Sequence, residues 1–139
     1  LTSVPPEYIR QIEDPGCQQL VGYRTEMDQR DGSCRVILDL MPQHLNRNGV
    51  LHGGIVAILL DVVCGNTASA HFDNVVHPPL VTVSLNISYV AATQGGRVTA
   101  TAQAAGGGRS IAYVNGELRG EDEALLATAA GVFKRIRAL

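Results

Sequence analysis

Asp61 stands inside the most apolar stretch of the chain, Ile55-Val56-Ala57-Ile58-Leu59-Leu60-Asp61-Val62-Val63-Cys64, nine positions after the histidine of His52-Gly53-Gly54. A carboxylate is costly to bury without partners, and in mid-helix it lies too far along to cap an N-terminus. At helical spacing Gly54, Ala57, Asp61, Gly65 and Ala68 share one stripe. Every companion of Asp61 on it is small, so a second backbone or a thin ligand can come close, and Asp61 is expected to project into a crevice. A carboxylate held there can attack an electrophilic carbonyl carbon or take a proton from a water. The alternative is a carboxylate that only completes a structural hydrogen-bond network.

His52-Gly53-Gly54 offers complementary chemistry. Two glycines at a helix start let a backbone or ligand approach closely. The free N–H groups of the first turn, with the helix dipole, favour negative charge, which suits a carbonyl oxygen becoming an oxyanion. Read alone, the tripeptide can also be only a tight loop-to-helix turn. The remaining candidates carry less. Gly106-Gly107-Gly108-Arg109-Ser110 lacks the Gly-Lys-Ser/Thr ending and following helix of a phosphate-binding loop, and reads as a hairpin turn. His44, His71 and His77 show no metal-ligand spacing and are expected at the surface. Arg35 and Arg97 read as solvated strand positions, and Lys134-Arg135 with Arg137 as a solvated end.

The elements that must hold these residues follow from periodicity and turn chemistry. Pro5-Pro6 before Glu7 to Ile12 predicts a short N-terminal helix, ended by Asp14-Pro15-Gly16. Gln18 to Met27 and Ser33 to Met41 read as two strands joined at Asp31-Gly32. Pro42 to Gly49 reads as a polar loop and Gly53 to His71 as the only long helix. Val81, Val83, Leu85, Ile87 and Tyr89 alternate with Thr82, Ser84, Asn86 and Ser88, the pattern of a half-buried strand. Three more strands are expected over Arg97 to Ala105, Ile111 to Arg119 and Leu125 to Arg135, with Asn115-Gly116 as an alternative hairpin position. The hairpin-like connections imply an antiparallel sheet packed on one apolar helix.

Composition narrows the function classes. The 139 residues suit one domain with a single core, and 45% hydrophobic against 17% charged residues is a globular balance. A net charge of −2, the lack of a basic stripe and 4% aromatics argue against nucleic-acid and membrane-surface roles. Asp61 interrupts the longest apolar run, so no segment is expected to reach the ~20 residues of a membrane span. Cys17, Cys34 and Cys64 fit neither a disulfide framework nor a zinc knuckle. They read as reduced thiols of a cytoplasmic protein, and no signal peptide is evident.

Taken together, Asn46-Arg47-Asn48-Gly49-Val50-Leu51-His52-Gly53-Gly54 leading into a helix, with the acidic Asp61 nine positions after the histidine, resembles the hotdog-fold acyl-CoA thioesterases of the phenylacetate-degradation (PaaI-like) type. Leu80 to Val90, Gly108 to Leu118 and Leu125 to Lys134 look like strands of that family, and the similarity runs over roughly residues 18 to 136. The resemblance implies an α+β hotdog fold over residues 1–139, an antiparallel sheet wrapped around one long central helix with a short N-terminal helix. It implies hydrolysis of an aryl- or medium-chain acyl-CoA thioester to the free acid and CoA, without a cofactor or metal. By position, Asp61 matches the nucleophile or general base, and the Gly53 N–H the group that polarises the carbonyl. Asn46 matches an amide that places the reacting group or water, Thr82 a hydroxyl near the carboxylate that orients water, and His52 a motif histidine that shapes the loop or takes a direct part in catalysis. Gly54, Arg109 and Ser110 become candidates for substrate contacts. The family's site forms between two subunits, so a homodimer is implied, and from it a dimer of dimers. Two rivals remain: a non-catalytic acyl-CoA or acyl-carrier binding module, and a hotdog enoyl-CoA hydratase, for which Asp39 and His44 have the required five-residue spacing.

Overall fold

The computed structural model describes residues 4–137. Pro6–Tyr8 form one 3-10 turn, followed by strand β1 (Ile9–Gln11), helix α1 (Cys17–Val21), β2 (Arg24–Asp28) and β3 (Cys34–Asp39). A second 3-10 turn (Pro42–His44) precedes the long helix α2 (Gly53–Phe72), and β4 (Leu80–Tyr89), β5 (Arg97–Gly107), β6 (Ile111–Arg119) and β7 (Leu125–Arg135) complete the chain. The seven strands form one antiparallel sheet in the order β1-β2-β3-β5-β6-β7-β4.

α2 is apolar almost all round, and such a helix must be covered. The sheet wraps it, with α2 packing on β3, β4, β5, β6 and β7. Leu59, Leu60, Val63, Cys64 and Ala68 are fully buried against Val36, Val98, Ala100, Val114 and Phe133. Close approach is made possible at Gly116, where a Cβ would lie 2.7 Å from the Cys64 sulfur. Asn115-Gly116 is therefore mid-strand, and the turn falls at Gly120 to Ala124 instead, closed by Gly120 N–H to the Ala124 carbonyl at 2.9 Å. By length and hydropathy alone α2 does meet the requirement of a membrane span. The sequence reading, which took Asp61 to break the run, is corrected on that point; it is packing that makes α2 the core helix.

The N-terminal third departs most from expectation. The predicted helix over Glu7 to Ile12 is a single 3-10 turn, and Ile9–Gln11 pair with Asp28 to Glu26 as an edge strand. So few residues cannot sustain a helix alone, whereas the open edge of β2 offers every backbone group a partner. Gln18 to Met27 is not one strand. Cys17–Val21 coil into α1, which ends where Gly22 turns left-handed (φ 93) and its N–H bonds the Gln18 carbonyl. The sheet thus has seven strands, not six. Asp31-Gly32 does turn the chain between β2 and β3, with Gly32 at φ 77. β5 continues through Gly106 and Gly107, which the sequence reading placed in the turn.

Two histidines are also corrected. His44 is buried, at 2% exposure. Its Nδ1 accepts the Met41 N–H at 2.9 Å and its Nε2 lies 2.6 Å from the Val21 carbonyl, pinning the loop before α2 against α1. His77 is half-buried at φ 52, with Nε2 3.0 Å from the Asn74 carbonyl. Arg35 and Arg97 are not simply solvated: they pair with Glu26 and Asp39 at 2.8 and 2.7 Å. All three cysteines are free, Cys17 exposed and the other two buried.

Candidate active site

Asp61 lies at the midpoint of α2, partly buried, and Thr82 Oγ1 donates to its Oδ1 at 2.8 Å. Regular alternation along β4 would have put Thr82 on the face away from Leu85 and Ile87. A bulge prevents this. Thr82 pairs with Phe133 and Ser84 with the adjacent Val132, leaving Val83 as an extra residue. The phase reverses there: Leu85 and Ile87 pack inward, Val81 and Val83 are 45% and 57% exposed, and Thr82 reaches Asp61. Bulges near functional positions re-aim side chains in this way. The strict alternation read from the sequence is broken at the one position that brings the hydroxyl to the carboxylate.

A groove of about 490 Å³ opens beside this pair, lined by Asp61, Gly65, Asn66, His77, Leu80 and Thr82 among others. Val76, His77 and Pro78 from the segment after α2 contribute to its wall. That segment is anchored at the helix end. The Asp73 carboxylate accepts N–H bonds from Val75 and Val76 at 2.9 and 3.0 Å, which hold its pKa below the ordinary range. Ser69 Oγ donates to the Pro78 carbonyl at 2.8 Å. Of the predicted stripe, Asp61 and Gly65 line this groove, Gly54 and Ala57 do not, and Ala68 is fully buried and belongs to the core.

Neither buried cysteine offers a thiolate. Burial, and then the neighbouring Asp61 charge, pushes the Cys64 thiol up to about 12, and burial with Cys64 does the same for Cys34. Burial, followed by the charges of Asp14, Cys17 and Asp61, raises the Tyr23 phenol to about 12. The Tyr23 hydroxyl is buried with no partner among the described residues.

A second cluster forms at the start of α2. His52 is the N-cap: its backbone is extended and its Nδ1 accepts the Gly54 N–H at 2.8 Å. The ring therefore shapes the turn. Among the described residues no acceptor meets the Gly53 N–H. Asn46 Oδ1 accepts the Asn48 and Val50 N–H groups at 2.9 and 3.3 Å, bracing the loop with its carbonyl oxygen and, among the described residues, leaving the amide nitrogen available. Tyr89, which the sequence reading did not single out, donates from its hydroxyl to the Gly53 carbonyl at 2.8 Å. Its ring lies 3.4 Å from where a Gly53 Cβ would stand. The available signal was its place at the end of β4, two residues beyond Ile87 on the inward face. Leu51, Gly53, Tyr89 and Val90 help line a second groove of about 340 Å³.

The chain brings Asp61 to Thr82, and Gly53 to His52 and Tyr89, but it keeps these two clusters apart. Asp61 lies eight residue steps along the helix from Gly53, roughly 12 Å at 1.5 Å per residue. One carbonyl group cannot meet both on a single chain. Arg109 and Ser110 lie exposed in the β5–β6 turn, where the Ser110 carbonyl accepts the Arg135 N–H at 2.8 Å, and they line neither groove. Asp39 and His44 are not brought together: Asp39 pairs with Arg97 while the His44 ring faces Val21 and Met41.

Comparison with known proteins agrees with this architecture. A family profile described as Thioesterase superfamily matches residues 48–127. The chain is 31% identical over 96 residues to the medium/long-chain acyl-CoA thioesterase YigI of Salmonella typhimurium, a match covering 60% of this chain and 61% of that protein. It thus spans less than two thirds of this curated relative. Among solved structures, the BH2602 protein of Bacillus halodurans with CoA superposes with a TM-score of 0.78 at 27% identity, covering 88% of this chain and 79% of that one. The E. coli PaaI protein of the phenylacetic acid degradation operon shares the fold at a TM-score of 0.76 and 23% identity, covering 86% of this chain and 83% of that one.

Proposed function

The chain belongs to the thioesterase superfamily, and on that premise we propose that residues 1–139 act as one hotdog domain that hydrolyses an aryl- or medium-chain acyl-CoA thioester. The observation that carries this reading is the 2.8 Å Thr82–Asp61 hydrogen bond at the mouth of a groove large enough for an acyl group. Thr82 occupies Oδ1 and fixes the carboxylate, leaving Oδ2 to act. Asp61 either attacks the thioester carbon, forming a mixed anhydride that water then opens, or takes a proton from a water that attacks. In both routes the carbonyl π electrons move onto oxygen and return to re-form C=O as the C–S bond breaks; the departing thiolate takes its proton from the Asp61 carboxyl in the general-base route, or from water in the anhydride route, and CoA leaves as thiol. An N–H aimed at the oxyanion is worth about 3–4 kcal/mol in the barrier, and the unclaimed Gly53 N–H at the positive end of α2 suits that role. Asn46 places the reacting group beside it with its free amide nitrogen.

For one carbonyl to meet both Gly53 and Asp61, the roughly 12 Å of helix between them calls for a second copy in this reading. Among the described residues β4 pairs only with β7 and is a sheet edge. Ten residues of open edge bearing exposed Val81 and Val83 invite pairing. Antiparallel docking of two β4 edges would continue the sheet and bring Asp61 of one subunit toward Gly53 and Asn46 of the other. CoA as the leaving half is supported by the CoA in the name of the Bacillus relative, and an acyl chain of medium or greater length by the medium/long-chain name of the Salmonella one.

The test is thiol release from phenylacetyl-, benzoyl- and octanoyl-CoA, followed with a thiol-reactive dye. Wild type is expected to turn over at least one of them. Asp61→Asn is expected to lower kcat by about 10²–10⁴-fold with an unchanged circular dichroism spectrum. Acyl-CoA binding without thiol release by wild type overturns the proposal, as does full activity of Asp61→Asn.

A further inference from the structure

We infer that Tyr89 is a positioning residue, holding the backbone of Gly53 so that its N–H points at the substrate carbonyl; this rests on the reading of Gly53 given above. Glycine is the residue least able to hold its own backbone, so a donor on Gly53 needs its two flanking peptides held from outside. The peptide between His52 and Gly53 is held through the His52 carbonyl, which accepts the Ile55 and Val56 N–H groups at 3.0 and 3.2 Å. The peptide between Gly53 and Gly54 is held at both ends. Its N–H goes to His52 Nδ1 at 2.8 Å and its carbonyl receives the Tyr89 hydroxyl at 2.8 Å.

Of these restraints only Tyr89 comes from outside the first turn of the helix, 36 residues away in the chain. Its ring edge and hydroxyl also stand 3.4–3.5 Å from where a Gly53 Cβ would lie, closing the space on the bare side of that residue. Tyr89 is 59% exposed and lines the groove that Gly53 lines, so it is not a core residue whose purpose is burial. β4 therefore sets both clusters: Thr82 on Asp61, and Tyr89 on Gly53.

The experiment is steady-state thiol release by wild type, Tyr89→Phe, Tyr89→Ala and Asp61→Asn on the best acyl-CoA found above. Tyr89→Phe keeps the ring and loses one hydroxyl. It is expected to lower kcat about tenfold, with KM within twofold and the melting temperature unchanged. Tyr89→Ala also loses the ring contact and is expected to lower kcat further. An unchanged kcat in Tyr89→Phe, or a loss carried wholly by KM, overturns the positioning role while an inactive Asp61→Asn leaves the thioesterase reading standing. Full activity of Asp61→Asn instead overturns that reading, and the inference with it.

Discussion

Placing a methyl group on Gly116 tests whether the fit of α2 into the sheet is what holds Asp61 in place. Gly116 pairs with Ala102 on one side and Ala129 on the other, under the middle of α2. A Cβ there would stand 2.7 Å from Cys64 Sγ, 3.4 Å from the Thr101 carbonyl oxygen and 3.6 Å from Leu60 Cδ2. Carbon and sulfur need about 3.5 Å or more, so roughly 0.8 Å must be found. Cys64 is fully buried, and a helical side chain has few rotamers to escape into. The helix must then lift or its neighbours repack. Overpacking of this kind costs about 1–3 kcal/mol, offset by roughly 0.5–1 kcal/mol from removing a strand glycine. Gly116→Ala is therefore expected to lose about 1–2 kcal/mol, a drop of some 3–10 °C in Tm for a domain of this size. Cys64→Ala removes the clashing sulfur. Thermal unfolding of the two single variants and the double should show coupling of at least about 1 kcal/mol between them. Because Asp61 sits one turn from Cys64, kcat is expected to fall in Gly116→Ala and recover in the double variant. An equal cost of Gly116→Ala in both backgrounds would show that the sulfur contact does not set the helix position.

Three further outcomes are expected. Thr82→Ala removes the hydroxyl on Asp61 and should lower kcat by about 10–100-fold, the worth of a charge-assisted hydrogen bond, whereas Thr82→Ser retains most activity; thiol release measures both. Val83→Lys puts a charge on the open β4 edge and should shift sedimentation velocity from dimer toward monomer, with activity falling in step. At Glu26 burial raises the carboxyl pKa, but hydrogen bonds from Gln11 and Arg35 and the charges of Arg35 and Arg24 outweigh it and hold it below 4.5. A depressed folded-state pKa stabilises the protein above the unfolded value and loses that stabilisation as pH falls through the folded one. Glu26→Gln should therefore melt lower than wild type at pH 7, and the difference should shrink as melts are repeated toward pH 3.

Local pattern carried the sequence reading a long way. The helix over Gly53–Phe72 and the strands β3 to β7 were legible because period, capping and turn residues act over a few positions. Asp61 announced itself for the same reason: its companions at helical spacing are small, and a charge in apolar surroundings is conspicuous. His52, which the family resemblance cast as a loop-shaping residue, caps the helix by accepting the Gly54 N–H on its ring. The N-terminal region was not legible, since Cys17–Val21 and Ile9–Gln11 are too short to declare a period and take their form from Gly22 and from the free edge of β2.

What the sequence by itself determined is therefore the set of chemical groups and the elements that carry them, because both are written in neighbouring residues. What only the tertiary structure decided is how those groups meet. The bulge at Val83 turns Thr82 onto Asp61, Tyr89 closes over Gly53, and His44 vanishes into the core. The same structure leaves carboxylate and amide on one rigid helix, too far apart to share a carbonyl. Each of these depends on which strand lies against which helix and in what register, a property of contacts between residues distant in the chain that no local pattern records.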